Sequence, residues 1–143
     1  MPRGRTSAII AAPMSGMFDV DVFYFDAGIL AQALYQLGYV IREEVKELRS
    51  ARCVEEVEFT AAHPNSGNID IGFKKLEDGS LVPVADWDKI EDTGADKKKI
   101  LNEISQKYSY LVAVDEAQKM GYNLVEEKNE VDGSIKVVLR RYD

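Results

Sequence analysis

The chain has 143 residues, enough for one domain that buries roughly two thirds of its unfolded surface without disulfides or metals. Apolar residues make up 45 % and charged residues 30 %, which is typical of a folded protein rather than a disordered one. The net charge of −7 argues against nucleic acid as the main partner, and no apolar run approaches the ~20 residues of a membrane span. The single cysteine, Cys53, allows no internal disulfide and is compatible with a reducing compartment such as the cytoplasm.

Strand and helix signals alternate along the chain. The first helix has Asp26 at its N-cap, apolar residues at spacings of three and four, and Gly38 to end it. A longer helix keeps the same spacing and stops at Gly121. The segment YVIREEVKEL is open between strand and helix. The whole pattern predicts strands over 7–13 and 53–61 and helices over 26–37 and 95–120. It also predicts hairpins over 68–88 and 122–143, the second about an Asp132-Gly133 turn.

This order of elements predicts an α+β fold. Each of the two amphipathic helices needs an apolar surface, and the strands offer one apolar face. An antiparallel sheet with both helices packed on one face satisfies both needs. We expect a ferredoxin-like arrangement with an additional hairpin, in a single domain over residues 1–143.

The hairpin over 68–88 turns at Asp78-Gly79, and its register depends on the loop length. A two-residue loop would place Phe73 opposite Val84 and put a charge on the apolar side. A three-residue loop of Asp78, Gly79 and Ser80 would place Phe73 opposite Ala85 and keep the apolar side chains on one face. We choose the three-residue loop.

This register places three aspartates, Asp70, Asp86 and Asp88, on the other face of the hairpin, with Asp88 opposite Asp70. The face is either solvated, an acidic patch for a partner, or a site for Mg²⁺ or Ca²⁺ through oxygen ligands. Trp87 would pack in the sheet, and Pro83 predicts that the second strand is an edge or is bulged near that residue.

The segment 14–25 is more apolar than a loop can leave in water. Either it is a further strand that covers its own sheet, or it docks on another subunit or protein. In both interpretations it is a packing element and not a catalytic one. Its candidate partner-binding residues are Met17, Phe18, Phe23, Tyr24 and Phe25.

Groups that could carry catalysis are few. His63, the only histidine, lies in AHPNS with no adjacent carboxylate or nucleophile, so we interpret it as a loop histidine. Cys53 follows Arg52 but opens a predicted strand, so we expect a partly buried, unreactive thiol. The sequence has no phosphate-cradling glycine loop, zinc-ligand spacing or nucleophile elbow, and we predict no cofactor.

Five segments in order point to a family: ALYQLGY, DIGF, PVADW, ISQKYSYLVAVDEAQKMGYNLVEE and DGSIKVVLRR. Over residues 29–141 the chain resembles the hypothetical chloroplast open reading frame thirty-five family, a domain of unknown function in algal plastids, cyanobacteria and other bacteria. The resemblance supports the fold and supplies no catalytic residues. It implies that 14–25 is an insertion, that an AAA-type ATPase is a possible class of partner, and that the protein resides in the plastid stroma where it is plastid-encoded.

Two function hypotheses follow from these patterns. In the first, the protein is a non-enzymatic interaction or adaptor module that binds an AAA-type ATPase or a copy of itself. In the second, it binds a small ligand or divalent cation in a cleft between the sheet and the long helix, near Asp70, Asp86, Tyr108 and Tyr110. The poor supply of catalytic groups favours the first.

Overall fold

The computed structural model describes residues 5–12, 23–50, 53–129 and 135–142. These residues contain antiparallel strands and three α-helices joined by turns and loops. The helices are α1 (Ala27–Gln36), α2 (Trp87–Asp92) and α3 (Lys97–Lys119). The strands are β1 (Arg5–Ala12), β2 (Val40–Arg42), β3 (Glu47–Arg49), β4 (Val54–Glu56), β5 (Phe59–Ala62), β6 (Ile71–Lys75), β7 (Leu81–Val84), β8 (Tyr122–Asn129) and β9 (Ile135–Tyr142). The chain divides into two compact units, one of residues 16–105 and one of residues 1–15 with 106–143.

The two predicted helices are confirmed, and their ends follow the local chemistry. The Asp26 carboxylate accepts a hydrogen bond from the Ile29 amide at 3.0 Å, which caps α1. Gly38 follows α1 with a φ of 91°, a left-handed conformation that glycine adopts without steric cost. The long helix α3 covers most of the predicted range. The short α2 was not predicted, because its first two residues were assigned to the end of a strand and its other four to the loop that follows.

In the unit of residues 16–105, a four-stranded sheet in the order β2-β5-β6-β7 has one face that is buried along its two central strands. Phe59 and Phe73 stack on this face with ring centroids 5.1 Å apart, and Ile71 is inaccessible to solvent. The helices contribute buried apolar side chains to the core of the unit: Leu30 and Leu34 from α1, Ile90 from α2, and Ile100 and Ile104 from α3.

The opposite face of this sheet approaches the small β3–β4 hairpin. Gly72 has no side chain, and a Cβ built there would lie 2.6 Å from Val57 Cγ1 and 3.4 Å from Leu48 Cδ2. Only glycine therefore admits the β3–β4 hairpin at this distance. The Lys74 ammonium also bonds the Glu55 carboxylate at 2.9 Å, which joins β6 to β4.

The register of the β6–β7 hairpin differs from both predicted registers. Phe73 pairs with Pro83, so the loop has three residues as predicted but begins one position earlier, at Glu77. Gly79 takes the third loop position with a φ of 88°, and the Asp78 carboxylate accepts from the Ser80 amide at 2.9 Å. This turn chemistry sets the register. Both candidate registers were wrong, but the pairing slides by two residues, so each side chain within β6 and β7 keeps the predicted face.

The second strand of the hairpin is also shorter than predicted. β7 ends at Val84, and Asp86 caps α2 by accepting from the Lys89 amide at 3.2 Å. Trp87 therefore begins a helix and does not pack in the sheet as predicted. β7 is an edge of its sheet, as Pro83 predicts.

The other unit contains a three-stranded antiparallel sheet in the order β1-β9-β8. The closing pair of strands, β8 and β9, is confirmed, and its predicted Asp132-Gly133 turn lies outside the described residues. The part of α3 that belongs to this unit carries a small apolar cluster. Its buried members are Tyr110, Val114 and Ala117, with Leu111 and Tyr122 packed against them.

The α+β class and the antiparallel pairing are confirmed, but the single sheet is not. The described strands form three sheets, because 53–61 is interrupted at Val57 and the ambiguous 39–48 segment supplies two short strands. The ferredoxin-like strand order is therefore not observed in the described residues. The extent of the single domain, 1–143, stays a prediction.

The close approach at Gly72 makes a testable prediction. Gly72→Ala should lower the free energy of unfolding by about 1–3 kcal/mol, because the new methyl group overlaps Val57 and displaces the β3–β4 hairpin. Gly28→Ala is the matched control, since the nearest atom to its Cβ lies at 3.4 Å and alanine favours a helix. Urea unfolding of both variants measures the difference. Equal stability of Gly72→Ala and the parent chain would contradict the packing argument.

Candidate functional site

A cleft of about 710 Å³ is the candidate functional site. It lies between the β3–β4 hairpin, the loop that precedes β6, and the first turn of α2. Its wall contains only two apolar residues among those described, Leu48 and Ile69. The polar and charged lining residues are Arg42, Arg49, Ser50, Asn68, Asp70, Asp86 and Lys89.

The structure brings Asp70 and Asp86 to this cleft, whereas Asp88 lies elsewhere. Asp88 lines a neighbouring hollow of about 570 Å³ together with Asp86, Asp92 and Trp87. The cross-strand pairing of Asp88 with Asp70 was wrong, because Asp88 belongs to α2. Within the described ranges, no group of three His, Cys, Asp or Glu side chains could hold a metal ion. The metal site at these three aspartates stays a prediction, without the register on which it was based.

Three cations share the cleft with the two carboxylates. Arg42 lies 4.0 Å from Asp70 and Arg49 lies 3.5 Å from Glu47, and all four side chains are partly exposed to solvent. These contacts are longer than the 2.9 Å between Lys74 and Glu55, so the guanidinium groups keep donors available. The cations lie on three separate elements, β2, β3 and α2. Their convergence is a property of the fold that no sequence spacing revealed.

The loop that precedes β6, on one side of the cleft, is held by hydrogen bonds of His63. The imidazole Nδ1 accepts from the Asn65 amide at 2.9 Å, and the His63 amide donates to the Ser66 hydroxyl at 3.2 Å. Asn68, on the rim, has a φ of 59°, which few non-glycine residues adopt. His63 is therefore a capping residue of a turn, which supports its interpretation as a loop histidine.

Cys53 differs from its prediction. The residue is exposed to solvent rather than partly buried. Its thiol lies 3.6 Å from the Ser50 hydroxyl at the tip of the β3–β4 hairpin. Cys53 lines the hollow beside the cleft with Trp87.

The aromatic segment before α1 is described from Phe23 onward, and Met17 and Phe18 lie outside the described residues. Tyr24 is only 1 % exposed and belongs to the core, so it is not a free partner-binding side chain. Phe23 and Phe25 are exposed, at 44 % and 70 %. Tyr110, a predicted cleft residue, is buried in the apolar cluster on α3.

The chain belongs to the family described as "Protein of unknown function (DUF1257)", whose model matches residues 33–138. It is 35 % identical over 131 residues to "Uncharacterized protein ycf35" of Pyropia yezoensis, which covers 91 % of this chain and 99 % of that protein. It is 31 % identical over 77 residues to "Uncharacterized protein ycf35" of Cyanophora paradoxa, which covers 52 % of this chain and 57 % of that protein. The predicted family is confirmed.

No solved structure matches the chain. None of the helices within the described residues is long and apolar enough to cross a membrane. The match to the family model begins after the segment 14–25, whose status as an insertion stays a prediction.

The His63 loop beside the cleft packs against Tyr39, whose raised pKa makes the stability of the fold depend on pH. The Tyr39 ring lies against His63 at 4.9 Å, and burial, with the Glu103 carboxylate as a second cause, raises the pKa of Tyr39 to about 12. In the unfolded chain a tyrosine has a pKa near 10. The protonated Tyr39 therefore stabilises the fold fully below pH 10, and this contribution is lost as the pH rises to about 12.

Replacing Tyr39 by phenylalanine should remove this loss. Between pH 10 and 12 the free energy of unfolding of Tyr39→Phe should fall less steeply than that of the parent, by at most about 1.4 kcal/mol per pH unit. Tyr35→Phe, which removes an exposed phenol on α1, is the control. Urea unfolding at several pH values gives both slopes. Identical slopes for Tyr39→Phe and the parent would contradict the assignment.

Proposed function

We propose that the protein is a non-enzymatic protein-interaction module that docks a partner through Phe23 and Phe25. The observation that carries this proposal is that a buried residue, Tyr24, anchors the backbone between two exposed aromatic rings. Tyr24 bonds Leu81 through its backbone in both directions, at 2.8 and 2.7 Å. Its hydroxyl lies 3.0 Å from the Ser105 hydroxyl, and its ring meets the edge of Phe73.

The anchor determines where the neighbouring side chains point. In an extended segment, successive side chains project to opposite sides. Because Tyr24 projects into the core, Phe23 and Phe25 are directed to the surface. Because the backbone that carries both rings is already anchored, less conformational freedom is lost when a partner covers them, and each ring would contribute about 1–2 kcal/mol to binding.

The state of the two nucleophile and base candidates supports a non-enzymatic role. His63 uses Nδ1 to cap a turn, and the Cys53 thiol lies in a hairpin turn beside Ser50. Neither group is arranged with an activating partner in the described contacts. The partner that we propose is a protein, either an AAA-type ATPase as the family resemblance implies or a second copy of this chain. From the charged composition and the single cysteine, we place it in the cytoplasm, or in the stroma where it is plastid-encoded.

The docking proposal predicts a specific loss of partner. The double substitution Phe23→Asp with Phe25→Asp should reduce partner recovery or self-association at least tenfold, because two charges replace the apolar contact. Purification of the tagged protein from its native host at low salt, followed by intact-complex mass analysis, measures both. Tyr35→Asp is the matched control, since Tyr35 is an exposed aromatic residue outside the segment.

Circular dichroism should show that the double variant keeps the secondary structure and melting temperature of the parent, because the buried Tyr24 is unchanged. A parent protein that elutes as a bare monomer would overturn the proposal. A folded double variant that recovers as much partner as the parent would overturn it as well.

A second candidate function, the binding of a small ligand or divalent cation, is favoured because Asp70 and Asp86 line one cleft. If Mg²⁺ or Ca²⁺ binds there, millimolar cation should raise the melting temperature by a few degrees. Asp86→Ala should abolish the rise, measured as the difference with and without cation because the substitution also removes a helix cap. Asp78→Ala, outside the cleft, should keep it. A parent melting temperature that does not respond to either cation would reject cation binding.

A further inference from the structure

The cleft at Asp70 and Asp86 carries more positive than negative lining residues. Arg42, Arg49 and Lys89 face two carboxylates, although acidic residues outnumber basic ones in the chain as a whole, 25 to 18. A site for a bare cation would be expected to show the opposite balance. The lining therefore suits a ligand that is itself an anion.

We propose that the cleft binds a small phosphate monoester that also carries hydroxyl groups. This inference deepens the second candidate function by assigning a ligand class, and it is independent of docking at Phe23 and Phe25.

The three cations suit a phosphate group better than a carboxylate. They reach the cleft from β2, β3 and α2, so they can surround a tetrahedral group whose oxygens point in different directions. The guanidinium groups supply paired N–H donors for two phosphate oxygens, and the Lys89 ammonium supplies a compact charge. A carboxylate has two oxygens in one plane and needs only a single arginine.

The existing ion pairs leave these cations open to a ligand. Arg42 and Asp70 are 4.0 Å apart, at the outer limit of an ion pair, and the Arg42 side chain is 54 % exposed. Arg49 contacts Glu47 at 3.5 Å on its own strand. Since neither pair is a short hydrogen-bonded contact, an oxyanion can approach both guanidinium groups without displacing a strong partner.

The carboxylates of the cleft define the rest of the ligand. Ionised Asp70 and Asp86 accept hydrogen bonds and cannot donate them, so they repel a bare polyanion and favour a ligand with hydroxyl donors. Asn68 adds a side-chain amide that can donate and accept. Its backbone is held by the hydrogen bond that the Asn68 N–H donates to the His63 carbonyl at 3.0 Å. A volume of about 710 Å³ accommodates a small phosphorylated polyol and its water.

The experiment is calorimetric titration of the full chain with glycerol 3-phosphate at constant ionic strength. We expect saturable binding that weakens at least tenfold in Arg42→Gln and in Lys89→Gln. Lys75→Gln, which removes an exposed lysine of β6 outside the cleft, should bind within twofold of the parent. Circular dichroism establishes that each surface variant is folded.

Two further titrations test the ligand class. Inorganic phosphate should bind at least fivefold more weakly than glycerol 3-phosphate, because it lacks the carbon-bound hydroxyl groups that would donate hydrogen bonds to Asp70 and Asp86. Acetate should bind more weakly still. Absence of saturable binding, or equal binding by parent and cleft variants, would overturn the site. Equal affinity for inorganic phosphate would overturn the hydroxyl assignment. Neither negative result bears on docking at Phe23 and Phe25, which is tested separately by the double substitution.

Discussion

The close approach of the β3–β4 hairpin to the sheet at Gly72 is the constraint on which the candidate cleft depends. Without a side chain at Gly72, Val57 and Leu48 reach the sheet surface. Leu48, Arg49 and Ser50 then form one wall of the cleft. Any larger residue would displace this wall and separate Arg49 from Arg42. The cleft thus depends on the glycine at position 72 as much as on the charged residues that line it.

The sequence predicted elements whose determinants are local. α1 was predicted because Asp26, the apolar spacing and Gly38 all lie within the helix or next to it. The long helix α3 was predicted because its periodicity persists over six turns and outweighs the strand propensity of YSYLVAV. The side-chain faces of the β6–β7 hairpin were also predicted, since the alternation of apolar residues determines them.

Features that depend on one contact or on distant segments were not predicted. The hairpin register depends on the hydrogen bonds of Asp78 to Ser80, and a shift of one loop position moved every pair. Tyr24 was grouped with Phe23 and Phe25, because composition cannot show which of three adjacent aromatic rings is buried. The position of the cleft and its basic lining were missed, because Arg42, Arg49 and Lys89 are brought together only by sheet pairing and by a helix that the sequence did not reveal. Of the candidate site, only Asp70 and Asp86 were anticipated.

Strand β7 connects the two candidate binding regions. Its first residue, Leu81, holds Tyr24 between the two exposed phenylalanines, and two residues after its end Asp86 lines the cleft. A four-residue strand spans about 13 Å, so the two regions are joined by one short, hydrogen-bonded element. If binding of a partner to the aromatic segment displaced Leu81, the same hydrogen-bonded strand would displace Asp86. Affinity at one region would then depend on occupancy of the other, and the dependence would be equal in both directions.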